Sequence, residues 1–92
     1  MIPLNLMIII YSPRFARLYK KLPDGVKDDA ELAEETFRIN PRDARLRVHK
    51  LNGRLSDYWS FSVNREYRIV FYYGNSKEDV FFDLIGNHDI YK

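Results

Sequence analysis

The order of apolar patterns in this 92-residue chain predicts an α+β fold. A short Ile-rich run comes first, and two stretches with apolar residues at helical spacing follow it. After Pro41 the pattern switches to a period of two. Helices gathered before a set of antiparallel strands pack together on one sheet face. The expected arrangement is β-α-α-β-β-β-β, a mostly antiparallel, twisted sheet with two N-terminal helices on one face.

"LMIIIY" is a continuous apolar run rich in β-branched residues and reads as a strand over Leu6–Tyr11. Ser12 then fits an N-cap and Pro13 the first helical position, with Phe15, Leu18 and Leu22 at helical spacing until Pro23 stops the run. A second helix starts at Pro23 or Asp24, carries Val26, Ala30, Ala33 and Phe37 as its apolar stripe, and ends near Ile39 before "NP". In "ARLRVHKL", Leu46 and Val48 alternate with Arg45, Arg47 and His49, which predicts a strand. A turn at Asn52–Gly53 leads to "YWSFSV", with Trp59, Phe61 and Val63 on one side and Tyr58, Ser60 and Ser62 on the solvent side. "YRIVFYY" and "DVFFDLIG" form a hairpin around "GNSK". Placing Tyr73 opposite Glu78 puts Ile69, Phe71, Val80, Phe82 and Leu84 on the core face. Arg68 then lies on the other face, across from Asp83.

The length predicts one domain over residues 1–92, with 1–6 read as an N-terminal extension or a misassigned start because Met7 opens the first convincing strand. The absence of cysteine excludes disulfides and cysteine-held zinc and suits a reducing, cytoplasmic setting. "LMIII" is too short to span a membrane, and "MIPLNLMIII" lacks the basic start and cleavage site of a signal peptide. No metal-ligand spacing, glycine-rich phosphate loop, serine elbow or cysteine nucleophile is present, so neither a metal nor a small-molecule cofactor is expected.

Net charge is +2 but unevenly spread. Residues 38–72 hold eight basic and three acidic side chains, against five and six before them and two and four after. Such a basic middle suits a polyanion, or equally a solvated arginine-rich edge. Arg45, Arg47, Lys50, Arg54 and Arg65 are the candidate backbone contacts, and Ser60 and Ser62 could hydrogen-bond a substrate.

The chain's histidines are His49, which alternates outward from Leu46 and Val48, and His88, just past Gly86 where the last strand ends. With Arg68 they make up a minimal set for RNA cleavage. One imidazole takes the 2′-hydroxyl proton, another protonates the departing 5′-oxygen, and a guanidinium binds the phosphoryl oxygens as charge grows on them. Each residue also has an ordinary reading: His49 a surface residue, Arg68 a cross-strand partner of Asp83, His88 a cap on the strand end, Tyr91 a plug at the core edge.

"HKLNGRLSDYWSFSVNREYRIVFYY" with the terminal "DLIGNHDIYK" resembles the RelE/ParE superfamily of bacterial and archaeal toxins, over nearly the whole chain from Met7. The resemblance is nearest to its mRNA interferase branch, the YoeB-like and YafQ-like toxins, which cut messenger RNA in the ribosomal decoding site. It implies a RelE-like domain, a toxin of a type II toxin–antitoxin pair, and ribosome-dependent endoribonuclease activity that inhibits translation. The partners it implies are mRNA on the ribosome and an antitoxin encoded next door. By position in the motif, Arg68 matches the arginine that binds the scissile phosphate. His49 falls where YoeB-like proteins have a glutamate base and YafQ-like ones a histidine. His88 matches the terminal general acid, and Tyr91 the aromatic that stacks on a base. Ser60 and Ser62 stand where RelE itself has lysines. Two other readings share the fold: a ParE-like inhibitor of DNA gyrase, which needs no acid–base pair, and a non-catalytic relative that binds antitoxin or RNA. The pairing of His49 with His88 favours the nuclease.

Overall fold

A computed structural model describes residues 7–76 and 78–87. Strand β1 (Ile8–Tyr11) leads through Ser12 into helices α1 (Pro13–Lys20) and α2 (Asp24–Ile39). Strands β2 (His49–Lys50), β3 (Trp59–Ser62), β4 (Arg68–Tyr73) and β5 (Asp79–Gly86) follow. The sheet order is β1-β5-β4-β3-β2. Neighbours are antiparallel except β1, which runs parallel to β5 with Ile8 beside Asp79 and Tyr11 beside Phe82. This is the expected α+β arrangement. Among the described residues no helix is long and apolar enough to cross a membrane.

The first helix starts where its sequence predicts. Ser12 Oγ accepts from the Phe15 amide at 2.9 Å and donates to the Asp83 carbonyl at 3.0 Å, so the cap also staples α1 to β5. Pro23 ends the first helical stretch and precedes Asp24, the first residue of α2. Both helices bury their apolar stripes on one sheet face. Phe15, Ala30, Ala33 and Phe37 meet Phe61, Ile69, Phe71, Val80, Phe82 and Ile85. Phe37 sits at the centre, stacked on Phe61 at 4.7 Å and edge-on to Phe71 at 5.1 Å.

Three local expectations are corrected. The strand read through "ARLRVHKL" is confined to His49–Lys50, and Ala44–Leu46 form a 3₁₀ turn. Asp43 caps that turn, its carboxylate accepting from the Arg45 amide at 2.9 Å, and this local bond outcompetes a ladder. Arg47 then adopts the left-handed conformation at φ 51°, which breaks any continuous strand. Leu46 and Val48 still pack inward, as their pattern suggests.

The β4–β5 register is also different. Tyr73 pairs with Val80 and Phe71 with Phe82, two residues from the expected pairing, so these side chains keep their faces. A bulge then intervenes, and Val70 pairs with Leu84, Ile69 with Ile85 and Arg68 with Gly86. The extra residue, Asp83, turns Leu84 off the core face and brings Ile85 onto it. Finally, Ser60 is not solvent-facing but fully buried. Its short side chain lies between the larger His49 and Val70 on the flanking strands.

Candidate functional site

The helices leave the opposite sheet face as the place where polar chemistry can collect. Directly paired residues point to the same side of a sheet, and so do residues two apart in one strand. His49 pairs with Ser60, Ser60 with Val70, and Ser62 with Arg68. His49, Ser62 and Arg68 therefore share the face away from the helices. Two ladder steps and two residues separate the histidine and arginine backbones, about 10 Å across the strands and about 7 Å along them.

The short β2 strand and its left-handed entry set the His49 imidazole. Nδ1 lies 3.0 Å from the Arg47 carbonyl, which can only accept, so Nδ1 carries the hydrogen. In the neutral tautomer that carries this hydrogen the lone pair lies on Nε2, the arrangement a general base needs. The side chain is exposed.

Arg68 is half-buried at the start of β4. Its Nη1 donates to the carbonyls of Asn64 at 2.7 Å, Tyr67 at 3.0 Å and Arg65 at 3.4 Å. One nitrogen is thus tied to the β3–β4 turn, and among the described residues none takes the edge formed by Nε and Nη2, which suits a two-point anion contact. The expected pairing with Asp83 does not form. Arg68 stands opposite Gly86, and Asp83 instead takes Arg14 Nη2 at 2.6 Å. Among the described residues no carboxylate lies within ion-pairing distance of Arg68.

The remaining candidates scatter around this pair. Lys50 pairs with Trp59 and so belongs to the helix side of the sheet edge. Arg45 is exposed and bound to Asp43 through both Nε and Nη2, which holds the Asp43 carboxyl down at about 2. Arg47, Arg54 and Arg65 are exposed on turns flanking β2 and β3. Buried Ser60 has no free access to a substrate. His88 and Tyr91 lie outside the described residues, which end at Asn87, one residue past the partner of Arg68.

Two features escaped the sequence reading. Arg14, Asp83 and Tyr58 form a polar cluster at the bulge. Burial first, then the Asp83 carboxylate, push the Tyr58 hydroxyl up. The β3–β4 turn is organised by Asn64, which bonds both the turn and α2. An Asn opening "NREY" is a recognisable turn signal, but its link to α2 is long-range. On the other side of the sheet, a groove of about 660 Å³ is walled by Tyr11, Phe15 and Tyr19 and by Glu31, Glu34 and Arg38 of α2.

Residues 11–84 match the model of the HigB-like toxin family, described as the RelE-like toxin of type II toxin-antitoxin system HigB. The chain belongs to that family. Solved structures of such toxins have the same fold. YafQ from E. coli strain BL21(DE3) superposes with a TM-score of 0.73 at 20% identity, over 92% of this chain and 97% of that one. A YoeB/ParE toxin from Agrobacterium tumefaciens gives 0.74 at 15% identity, over 89% and 99%. YafQ in the E. coli DinJ–YafQ toxin–antitoxin complex gives 0.69 at 19% identity, over 92% and 96%. No curated protein sequence matches the chain. The toxin's element order and helix-free sheet face are therefore those of a fold that recurs among toxins of low sequence identity.

Proposed function

We propose that this toxin is a ribosome-dependent mRNA endoribonuclease. The observation that carries the reading is the presentation of His49 and Arg68 on one sheet face, the imidazole with Nδ1 on the Arg47 carbonyl and the guanidinium with no described carboxylate beside it. In the proposed reaction His49 Nε2 accepts the 2′-hydroxyl proton as that oxygen attacks the adjacent phosphorus. Arg68 binds two phosphoryl oxygens and stabilises the charge that builds there. The bond to the 5′-oxygen breaks, and His88 supplies its proton, leaving a 2′,3′-cyclic phosphate and a 5′-hydroxyl. Because the nucleophile is part of the substrate, side chains can carry every proton transfer. Tyr91 is assigned to stack on a neighbouring base. Arg47, Arg54 and Arg65, exposed around the site, would meet the phosphate backbone of mRNA held in the decoding site.

The antitoxin partner is part of the same proposal. DinJ accompanies the matched YafQ in its complex. An antitoxin segment of this toxin would lie along the helices, where the aromatic and acidic groove offers apolar depth between charged walls. The proposed setting is the cytoplasm, where translated mRNA is found.

The test is a purified translation system read by primer extension. Wild-type toxin should truncate translated mRNA, and the new ends should be cyclic phosphates. His49→Ala, Arg68→Ala and His88→Ala should each slow cleavage by about 10²-fold or more. Full cleavage by the Arg68 or His88 variant would refute the site. Intact mRNA together with stalled DNA gyrase would transfer the toxin to the ParE-like reading.

A further inference from the structure

We propose that Asn64 is a positioning residue for Arg68 and that Asp29 of α2 anchors it. The inference rests on the nuclease reading for its functional consequence, although the geometry is independent of it. Asn64 opens the turn between β3 and β4. Its Oδ1 accepts from the amides of Glu66 and Tyr67, both at 2.9 Å. Its Nδ2 donates to Asp29 Oδ2 at 2.9 Å. A carboxylate only accepts, so this bond fixes which way the Asn64 amide faces, and the turn amides fix it again from the other end. The turn closes with the Val63 amide on the Tyr67 carbonyl at 2.9 Å. The carbonyl of Asn64 then points at Arg68 and takes Nη1 at 2.7 Å.

A long cationic side chain at a strand start samples many rotamers unless something holds its head. Here the head is held by the main chain of a four-residue turn, and that turn is held to the helix layer through one side chain. The helices are therefore not only a lid for the core; through Asp29 they fix where the guanidinium edge points. A reacting phosphate needs that edge within a fraction of an ångström of its productive place.

Because the anchor is a donor–acceptor pair, it can be reversed. Asn64→Asp keeps an oxygen for the turn amides but sets two carboxylates against each other where a hydrogen bond was. The double variant Asn64→Asp/Asp29→Asn restores a donor between the two positions. Asp29→Ala removes the anchor while leaving the turn's own bonds. Each variant is read twice. In NMR of the free toxin, the Arg68 Nη hydrogens should be resolved in the wild type, averaged in Asn64→Asp and in Asp29→Ala, and resolved again in the swapped pair. In the translation assay kcat should fall about tenfold or more in Asn64→Asp with KM little changed, and the swapped pair should recover to within about threefold of wild type. Arg68 signals unaltered in Asn64→Asp, or a swapped pair as slow as the single variant, would overturn the proposal. Should Asn64→Asp fail to fold, Asp29→Ala carries the same NMR test, with the same unaltered signals counting against the idea. If the Arg68 signals follow the anchor while wild-type toxin cuts no RNA, the positioning stands and the nuclease reading falls. If RNA is cut and the signals ignore the anchor, the positioning alone falls.

Discussion

Replacing Phe37 by alanine tests how much of the hold between the helix layer and the sheet rests on one aromatic side chain. Phe37 is fully buried and meets three rings of the sheet: Phe61 at 4.7 Å, Phe71 at 5.1 Å and Phe82 at 6.0 Å. Truncating a buried phenylalanine costs about 3–5 kcal/mol through lost transfer energy and the cavity left behind. Each well-placed ring pair adds about 0.5–1.5 kcal/mol beyond burial, which puts this site near the upper end. A chain of 92 residues has a total stability of about 5–14 kcal/mol. Phe37→Ala should therefore remove about a third or more of it and lower Tm by about 20 °C or more. Phe37→Leu, which conserves most of the volume, should cost about 1.5 kcal/mol or less. The assay is urea unfolding followed by far-UV circular dichroism and by the fluorescence of Trp59, which packs against the core beside Tyr73. An Ala variant losing under about 2 kcal/mol would refute the reasoning, because no lone cavity of this size is that cheap. A Leu variant as damaging as Ala would do so too.

Two further outcomes follow from single residues. Burial first, then the hydrogen bond and charge of Glu34, push the Tyr11 hydroxyl from 10.0 up to about 12. A raised phenol pKa means that the neutral form is favoured by folding. Its contribution is complete below about pH 10 and is lost as pH rises toward about 12. Tyr11 is 46% exposed, so solvent screening holds the effect to about 1 kcal/mol. The stability gap between wild type and Tyr11→Phe, measured by urea melts, should shrink across that alkaline window; a constant gap would count against the assignment. Arg47 occupies the left-handed region at φ 51°. Arg47→Asn, a residue that tolerates this conformation, should stabilise the fold by about 0.5 kcal/mol while weakening RNA binding in a salt-titrated filter assay. Destabilisation instead would show that the arginine side chain supports the turn.

Much of the fold was legible because its signals are local. The Ile-rich first strand, the Ser12–Pro13 helix start, the Ala30–Ala33–Phe37 stripe and the alternation around Phe61 each depend on a few adjacent residues. What the sequence hid depends on competition or on distance. The alternation in "ARLRVHKL" was real, yet Asp43 captured the Arg45 amide and curled the segment into a turn. The parallel pairing of β1 with β5 joins residues about seventy positions apart and leaves no local trace. Ser60 looked like any outward serine on an alternating strand. Its burial is a property of the folded sheet and leaves no mark on its neighbours in sequence. For the site, alternation was enough to place His49 and Arg68 on the same face, but not to name the partners of Arg68.

The bulge at Asp83 shows how one unpaired residue alters the chemistry open to a sheet. In the register that places Tyr73 opposite Glu78, Asp83 would sit across from Arg68, and the two would neutralise each other. The observed ladder lies two residues away from that pairing and the bulge between Val70 and Phe71 adds one more, so Arg68 faces Gly86, which has no side chain to engage it. Asp83 is left beside the start of α1, where Arg14 binds it and Ser12 holds its carbonyl. The acid is thus satisfied by the helix layer, and the guanidinium is left to main-chain carbonyls, which orient it without cancelling its charge. A neutral cradle suits the phosphate-binding role proposed for Arg68. Carbonyls share hydrogen bonds with an incoming anion, whereas a carboxylate would have to be displaced at the cost of a charge-assisted bond. The two-residue register difference is what separates Asp83 from Arg68, and the bulge then sets a glycine rather than Ile85 opposite the guanidinium.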